Sequence, residues 1–369
     1  MMKTYRIGLI GAGFMGRTHT YCWRVLPLFY EDLPFRVALE GVCTSRLSTA
    51  EAARAKLGYA RAFSGTGELV ADPRIDIVDI ASPNVYHHEA LLAAHRAGKK
   101  VYCDKPLTGT IEQAREIERR VDDPDYLGQM TLQYRFLPAT MRARQLIAEE
   151  ALGEIIGFRG CYLHSGNIVP GKALTWKEQR RFGGGVLYDM GVHILDLLTW
   201  LVDSPCTEVY ARRMAVHGKD PRESDDRTTV MAILHNGAEG TIEASKIATG
   251  AQDELRFEIH GSRGALRFNL MQPNYLDFFD TADPERPLGG RSGYTSIHCI
   301  GRYPEPAGRF PPPKFTTGWL RAHLHCLYTF IDAVHRGASF DPSIGRGLAL
   351  EKMLDAIGRS ADRNAPVTV

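Results

Sequence analysis

Three side chains of this sequence have the types and placements that oxidation of an alcohol requires. Lys105 stands in Val101-Tyr102-Cys103-Asp104-Lys105-Pro106-Leu107, at the C-terminal end of an apolar run that reads as a parallel strand. That edge of an open α/β sheet is where ligands bind, and the proline that follows ends the strand and helps fix the direction of the lysine. Asp189 and His193 stand in Gly183-Gly184-Gly185-Val186-Leu187-Tyr188-Asp189-Met190-Gly191-Val192-His193, which opens a long apolar helix running to Trp200. Four residues apart, they share one helical face about a turn from each other. Converging on one carbinol, the three would divide the work. Histidine titrates near neutrality and is the natural base. Lysine hydrogen-bonds the oxygen as it becomes a carbonyl, and the carboxylate binds a substrate hydroxyl or orients the base. Taken singly each has a plainer reading, the acid and histidine as a helix-surface pair and the lysine as a solvated strand end.

The hydride released by such a reaction needs an acceptor, and the N-terminus supplies a place for one. Gly11-Ala12-Gly13-Phe14-Met15-Gly16 is a GxGxxG directly after a predicted strand and opening a helix. The first glycine permits the tight turn, the second lets a pyrophosphate approach the backbone, and the third allows close helix–strand packing. The helix N-terminus adds amides and partial positive charge. A structural glycine turn in another α/β fold is the alternative. At the end of the second strand, where a NAD site usually carries an acid for the ribose hydroxyls, the sequence has Thr44, Ser45 and Arg46. Two hydroxyls and a guanidinium suit a 2′-phosphate. The expected cofactor is therefore NADP ahead of NAD, unless Arg46 is simply a solvated charge at the helix start.

Elements able to position these groups follow from the hydrophobic period. Residues 5–10, 37–43, 75–80 and 100–103 read as strands. Helices from about residue 15 and over 49–57, 87–97 and 111–121 lie among them. This alternation means βαβ units and a parallel sheet. From residue 154 the rhythm changes: 155–163, 208–216, 228–234, 240–247, 255–260 and 265–269 read as strands separated by turn signals such as His235-Asn236-Gly237, which predicts an antiparallel, meander-like sheet. Residues 274–313, dense in proline and glycine, read as a long ordered loop over a site or interface. Residues 319–336 and 348–359 read as amphipathic helices. The expected fold class is α/β: a Rossmann dinucleotide-binding domain over 1–133 and an α/β substrate-binding domain with an open, largely antiparallel sheet over 134–344. A C-terminal helix over about 345–369 is a candidate to pack back on the first domain.

Composition narrows the partners. The 369 residues suffice for two domains, and 44% hydrophobic with 24% charged residues is a globular balance. A formal net charge of +2, without a Lys/Arg run, gives no nucleic-acid patch. No stretch reaches the roughly 18–20 apolar residues of a membrane span. The glycine-interrupted run 7–15 reads as a strand and loop rather than an export signal, with the fold beginning almost at once. Seven scattered cysteines without a CxxC pair look like reduced, mostly buried thiols of a cytoplasmic protein. His323, His325 and Cys326 do not make a metal site on a helix, because i and i+2 face apart; no metal is expected. Trp176 stacks on a sugar ring or serves as a core or hinge tryptophan. Arg135 makes a salt bridge at the domain junction or reaches substrate.

Taken together, five motifs in this order resemble the glucose–fructose oxidoreductase, inositol dehydrogenase and rhizopine-catabolism (Gfo/Idh/MocA) oxidoreductases. They are the Gly11–Gly16 loop, Ser82-Pro83-Asn84 with His87, Asp104-Lys105-Pro106, Gln133-Tyr134-Arg135-Phe136 with Pro138, and the segment holding Gly183, Asp189 and His193. The resemblance implies catalytic roles for Lys105, Asp189 and His193, and places Ser82, Pro83, Asn84 and His87 beside the nicotinamide half of the cofactor. It also implies homodimers or homotetramers packed through the C-terminal sheet. The family's usual Glu-Lys-Pro is Asp-Lys-Pro here, which keeps the charge on a shorter arm. The expected activity is NAD(P)-dependent oxidation of a secondary alcohol on a cyclic polyol, sugar or glycoside, held between the two domains. A glycoside hydrolase with a transient internal redox cycle and a non-catalytic ligand sensor are the rivals.

Overall fold

The strand that feeds the glycine loop, β1 (Lys3–Ile10), is buried over its last four residues, the mark of a central parallel strand covered on both faces. The computed structural model describes residues 2–171 and 175–369 and divides the chain into two compact units. In the first, β1 is followed by α1 (Phe14–Phe29), β2 (Phe35–Cys43), α2 (Leu47–Leu57), β3 (Arg61–Phe63), α3 (Thr66–Ala71) and β4 (Ile77–Ile80). Then come α4 (His87–Arg96), β5 (Lys100–Cys103), α5 (Ile111–Arg120), α6 (Pro124–Leu127) and β6 (Gly128–Met130). All strand pairs are parallel, in the order β3-β2-β1-β4-β5-β6. This is the doubly wound order, whose ligand crevice lies outside the strand C-termini where the order reverses.

The second unit begins at Tyr134 and contains α7 (Pro138–Ala148), β7 (Ile155–Leu163) and α8 (Val192–Val202). Its remaining strands before the last helices are β8 (Cys206–Met214), β9 (Arg227–Leu234), β10 (Glu239–Ser245), β11 (Glu254–Gly261), β12 (Gly264–Asn269), β13 (Tyr275–Asp280) and β14 (Thr295–His298). They form one open sheet, β14-β13-β12-β11-β7-β10-β9-β8, closed at its far edge by β15 (Val367–Thr368). The sheet is not a simple meander: β7 is inserted between β11 and β10 and runs parallel to β10, while the other neighbours are antiparallel. β13 and β14 also lie within the stretch expected to be a loop. They extend the sheet at an edge where Leu276 is fully buried and every residue of β14 is exposed or half-buried, so their hydrophobic alternation is too weak to read.

The C-terminal helices depart from the expected domain limits. α9 (Trp319–Arg336) belongs to the first unit, where Tyr328 stacks on Tyr30 at 3.8 Å and Phe330 packs on Trp23 and Tyr102. α10 (Ile344–Arg363) contributes to the first unit through Glu351, whose carboxylate accepts from the Thr108 amide at 2.8 Å. From Lys352 onward it belongs to the second unit, where Ser360 bonds the Ala211 amide and β15 pairs with β8. Aromatic burial, invisible to a boundary drawn from strand content, decides the first assignment. Edge pairing decides the second. No helix among the described residues is long and apolar enough to cross a membrane.

α8 is the second unit's central helix, and every residue of it except Trp200 is buried. A charge on such a helix is costly unless paired. Asp196 is answered by Arg135: Nε donates to Oδ2 at 2.7 Å and Nη2 to Oδ1, and the guanidinium lies 5.2 Å above the Trp200 ring. Arg135 is thus a brace for α8 within one unit. Removing one partner of a buried pair leaves the other charge uncompensated, whereas an apolar replacement of both is tolerated. Arg135→Met should therefore cost about 3–5 kcal/mol. Arg135→Met with Asp196→Leu should recover most of that loss in calorimetric unfolding. Equal melting temperatures for wild type and Arg135→Met would refute the brace.

Candidate active site

In the first unit, the glycine loop leaves β1 and is tied to the end of β2 by Gly11 N–H donating to Cys43 O at 2.9 Å. At Gly16 a Cβ would stand 2.0 Å from Gly11 O, so the close packing expected of the third glycine is real. Gly13 is the opposite case: no protein atom lies within 4 Å of the position a Cβ would take. It caps α1 without a side-chain acceptor, and no acid stands in the first helical turn. These amides and the helix dipole favour an anionic ligand. Phe14 is largely exposed and Met15 half-buried beside this opening.

At the end of β2 the hydroxyl of Thr44 is committed to the local turn, donating to Arg46 O at 3.0 Å and meeting the Thr49 hydroxyl. Ser45 and Arg46 are exposed. Arg46 is the N-cap residue of α2, with extended backbone.

The loops after β4 and β5 are joined through His87. It is fully buried, with Nδ1 3.0 Å from Pro106 O and Nε2 2.8 Å from Ser82 O. Burial pushes His87 below the ordinary histidine value against the pull of Asp104, and a neutral imidazole donates from one nitrogen at a time. His87 therefore braces the two loops from behind. Asn84 is also buried; Ser82 and Pro83 are half-buried, and the Ser82 hydroxyl is a buried group with no protein partner. Such a hydroxyl calls for a bound ligand or water. Asp104 is buried, with its Oδ1 accepting from the Lys105 amide at 2.9 Å, and the Lys105–Pro106 peptide is cis. The shorter acid of Asp-Lys-Pro is thus used to shape the turn that carries Lys105. The open Gly13, the uncapped α1 N-terminus and the Ser82 hydroxyl together fit a dinucleotide.

His323 and His325 part company on α9. His325 Nδ1 meets the Tyr30 hydroxyl at 2.9 Å, while His323 packs on Trp319 at 4.2 Å between ring centres.

In the second unit, the helix start is wound more widely than expected. Leu187–Gly191 is a π turn, with Val192 N–H donating to Leu187 O, before α8 begins. Asp189 and His193 therefore span slightly less than a full turn, and π segments are frequent at functional sites. Gly185 is required here: its φ is +105°, and a Cβ would stand 2.1 Å from the Asp225 carboxylate. That carboxylate in turn accepts from the Leu187 amide and the Thr228 hydroxyl. The segment is thus pinned to the start of β9.

His193 is 6% exposed, with the Tyr134 and Tyr162 rings edge-on at 5.0 and 5.9 Å. The two tyrosine hydroxyls are 2.7 Å apart, and Tyr162 donates onward to Asp253 at 2.6 Å. Trp176 is half-buried in a one-turn 3₁₀ helix held by a Thr175–Glu178 capping box, with Lys177 Nζ 5.8 Å from its ring.

Sequence reasoning missed Lys246. Its Nζ lies 2.8 Å from Asp189 Oδ2 and 3.7 Å from Glu178 Oε1. The signal was available: Ile242 and Ala244 are buried on one face of β10, and residue 246 continues that parity. A lysine on an inward-facing position demands a partner.

Residues 5–125 match the oxidoreductase family with an NAD-binding Rossmann fold, and residues 140–267 match the Gfo/Idh/MocA C-terminal domain. The chain is 30% identical to the levoglucosan dehydrogenase of Pseudarthrobacter phenanthrenivorans, across 100% of this chain and 99% of that one. It is 26% identical to the inositol 2-dehydrogenase of Rhizobium meliloti, across 99% of each. A solved levoglucosan dehydrogenase in complex with NADH and levoglucosan superimposes with a TM-score of 0.93 at 30% identity, covering 100% of this chain and 99% of that one. With both domain signatures in order and full-length kinship to a named dehydrogenase, the chain belongs to the Gfo/Idh/MocA family of oxidoreductases.

Proposed function

We propose that this oxidoreductase removes hydride from a secondary alcohol of a cyclic polyol, sugar or glycoside, an anhydrosugar or inositol being the class to try first. The observation that carries the reading is the π turn and α8 start, where a carboxylate 23% exposed and a histidine enclosed by two tyrosines come from one segment. The names of the full-length relatives support the substrate class.

In this reading a bound nicotinamide would supply the hydride acceptor. Gly11, Gly13, Phe14, Met15 and Gly16 would hold its pyrophosphate, and Ser82, Pro83, Asn84 and His87 would form and brace the loop for its nicotinamide half. His193 takes the hydroxyl proton, Lys105 hydrogen-bonds the oxygen as it becomes a carbonyl, and Asp189 accepts a hydrogen bond from substrate or from the base. Trp176 offers a face for the sugar ring. At the adenosine ribose, NADP is preferred over NAD. Support comes from the exposed Ser45 and Arg46 at the end of β2, whose cation suits a phosphate. Thr44 contributes by fixing that turn.

The protein is placed in the cytoplasm on its seven free cysteines, of which burial pushes Cys22 and Cys103 well above the ordinary thiol value. It is read as a homodimer or homotetramer through the sheet face that carries Arg159, Thr241 and the exposed Met231.

The first test is His193→Ala, which should lower kcat by roughly 10²–10⁴-fold while leaving cofactor affinity nearly unchanged. The wild-type oxidation rate should rise with pH as the base loses its proton, and the variant should lose that limb. Retention of a near-normal kcat and the same pH profile in a folded variant would move the proton transfer elsewhere. A glycan released without net change in nicotinamide absorbance would favour the hydrolytic rival. The second test is Arg46→Asp. It should raise KM for NADP and shift preference toward NAD, and unchanged NADP kinetics would return Arg46 to the role of a surface charge.

A further inference from the structure

Lys246 follows directly on β10 and is held by backbone bonds on both sides: its amide donates to Asp226 O at 2.8 Å, and its carbonyl accepts from Asn167 N–H at 2.9 Å. Its side chain turns into the second unit, and the residue as a whole is buried. The charged groups that face it come from three further segments: Asp189 on the π turn, Glu178 on the short 3₁₀ helix, and Asp225 before β9. Burial alone would push the Lys246 ammonium below its ordinary value, and the three carboxylates outweigh that and hold it above.

The three acids are not equivalent. Asp225 is satisfied by the Leu187 amide and the Thr228 hydroxyl. Glu178 uses Oε2 to accept from the Thr175 amide at 2.9 Å and its hydroxyl at 2.6 Å, with only Oε1 toward the lysine, at 3.7 Å. Asp189 makes the close contact, at 2.8 Å, and is the most open member: its side chain is 23% exposed against 10% for Lys246 and 9% for Glu178. The ammonium thus meets Asp189 at Oδ2, while the Asp189 side chain keeps partial exposure.

We infer that Lys246 is a positioning residue for the alcohol oxidation, a buried ammonium that fixes the Asp189 carboxylate and keeps it an anionic, acceptor-only group facing the reacting alcohol. The inference rests on the roles given above to Asp189 and His193. An isolated buried carboxylate is costly and takes up a proton instead; once protonated it would donate where the reaction needs an acceptor. An arginine is the conservative replacement, because it retains the charge. A methionine keeps the length of the side chain and removes the charge.

The test is a set of full-length variants, Lys246→Met, Lys246→Arg, Asp189→Asn and Lys246→Met with Asp189→Asn, assayed with levoglucosan and myo-inositol and with NAD and NADP. The His193 ring is titrated in parallel by NMR, so that one readout does not depend on turnover. Lys246→Met should lower kcat by roughly tenfold or more, the usual scale for a partner that orients a reacting group. It should move the acid limb of the kcat profile and the His193 titration to higher pH: without the ammonium Asp189 takes up its proton at higher pH, and where it stays ionised its uncompensated charge favours the protonated imidazole. Lys246→Arg should restore both toward wild type. In the Asp189→Asn background, loss of Lys246 should change neither, since a role exercised through Asp189 cannot be lost twice. Unchanged pH profile and ring titration in Lys246→Met, or equal effects with and without Asp189, would overturn the inference. If His193→Ala keeps full activity while the ring titration still responds to Lys246, the base assignment fails and the positioning role stands. If Lys246→Met does not fold, Lys246→Arg decides: a wild-type ring titration supports the charge-based role, and a displaced one refutes it.

Discussion

Helix α8 is buried on nearly every residue, and in that setting no ionised side chain persists without a counter-charge or a full set of hydrogen bonds. The second unit is arranged around this constraint. Arg135 comes from the turn before α7 to answer Asp196, and Lys246 comes from the end of β10 to answer Asp189 one π turn before the helix. Asp225 ties the start of the turn to β9. His193 is flanked by the edges of two tyrosines. Each compensation draws a different strand or loop onto α8 or the π turn before it, so charge pairing also specifies how the sheet is covered.

The first unit solves the reverse problem. There the ligand brings the charge, and the protein keeps an N-terminus uncapped and a glycine without neighbours where the anion would sit. What is rigid lies behind that opening. His87 spans two loops by contacts to backbone carbonyls, and Asp104 folds onto the amide of Lys105. Substituting Asp for Glu in this motif is understandable in those terms, because the shorter carboxylate reaches its own chain's next amide.

Period and punctuation carried the reading where elements are long and buried. The strands β1, β2 and β7 and the helix α9 were legible because their apolar residues repeat at 2 or 3.6 over enough length, and β5 as a short continuous apolar run. β3 and β6 have three residues each, too few to show a period, and are fixed by pairing in the sheet. β14 sits at an exposed edge, where nothing forces alternation. The place of α9 in the first unit depends on aromatic partners more than 200 residues away in sequence. The π turn is tertiary too: Gly191 lets Leu187 and Ala244 of β10 approach within 3.0 and 3.5 Å of where its Cβ would be. Of the site, Lys105, Asp189, His193 and the glycine loop were visible as types in context. Lys246 was visible only as parity, a lysine on the inward row of a strand.

That parity bears on which group takes the proton. A carboxylate in direct contact with a buried ammonium is stabilised as the anion by that charge. It can accept hydrogen bonds and orient what donates them, but it is a poor place to leave a proton. The proposed base, His193, lies instead between two aromatic edges. In the proposed mechanism the acid orients and the imidazole moves the proton, so the second unit would separate orientation from proton transfer. The separation arises from burial and from which strand end carries a lysine, so the division of labour at the proposed site follows from the same charge compensation that holds the fold.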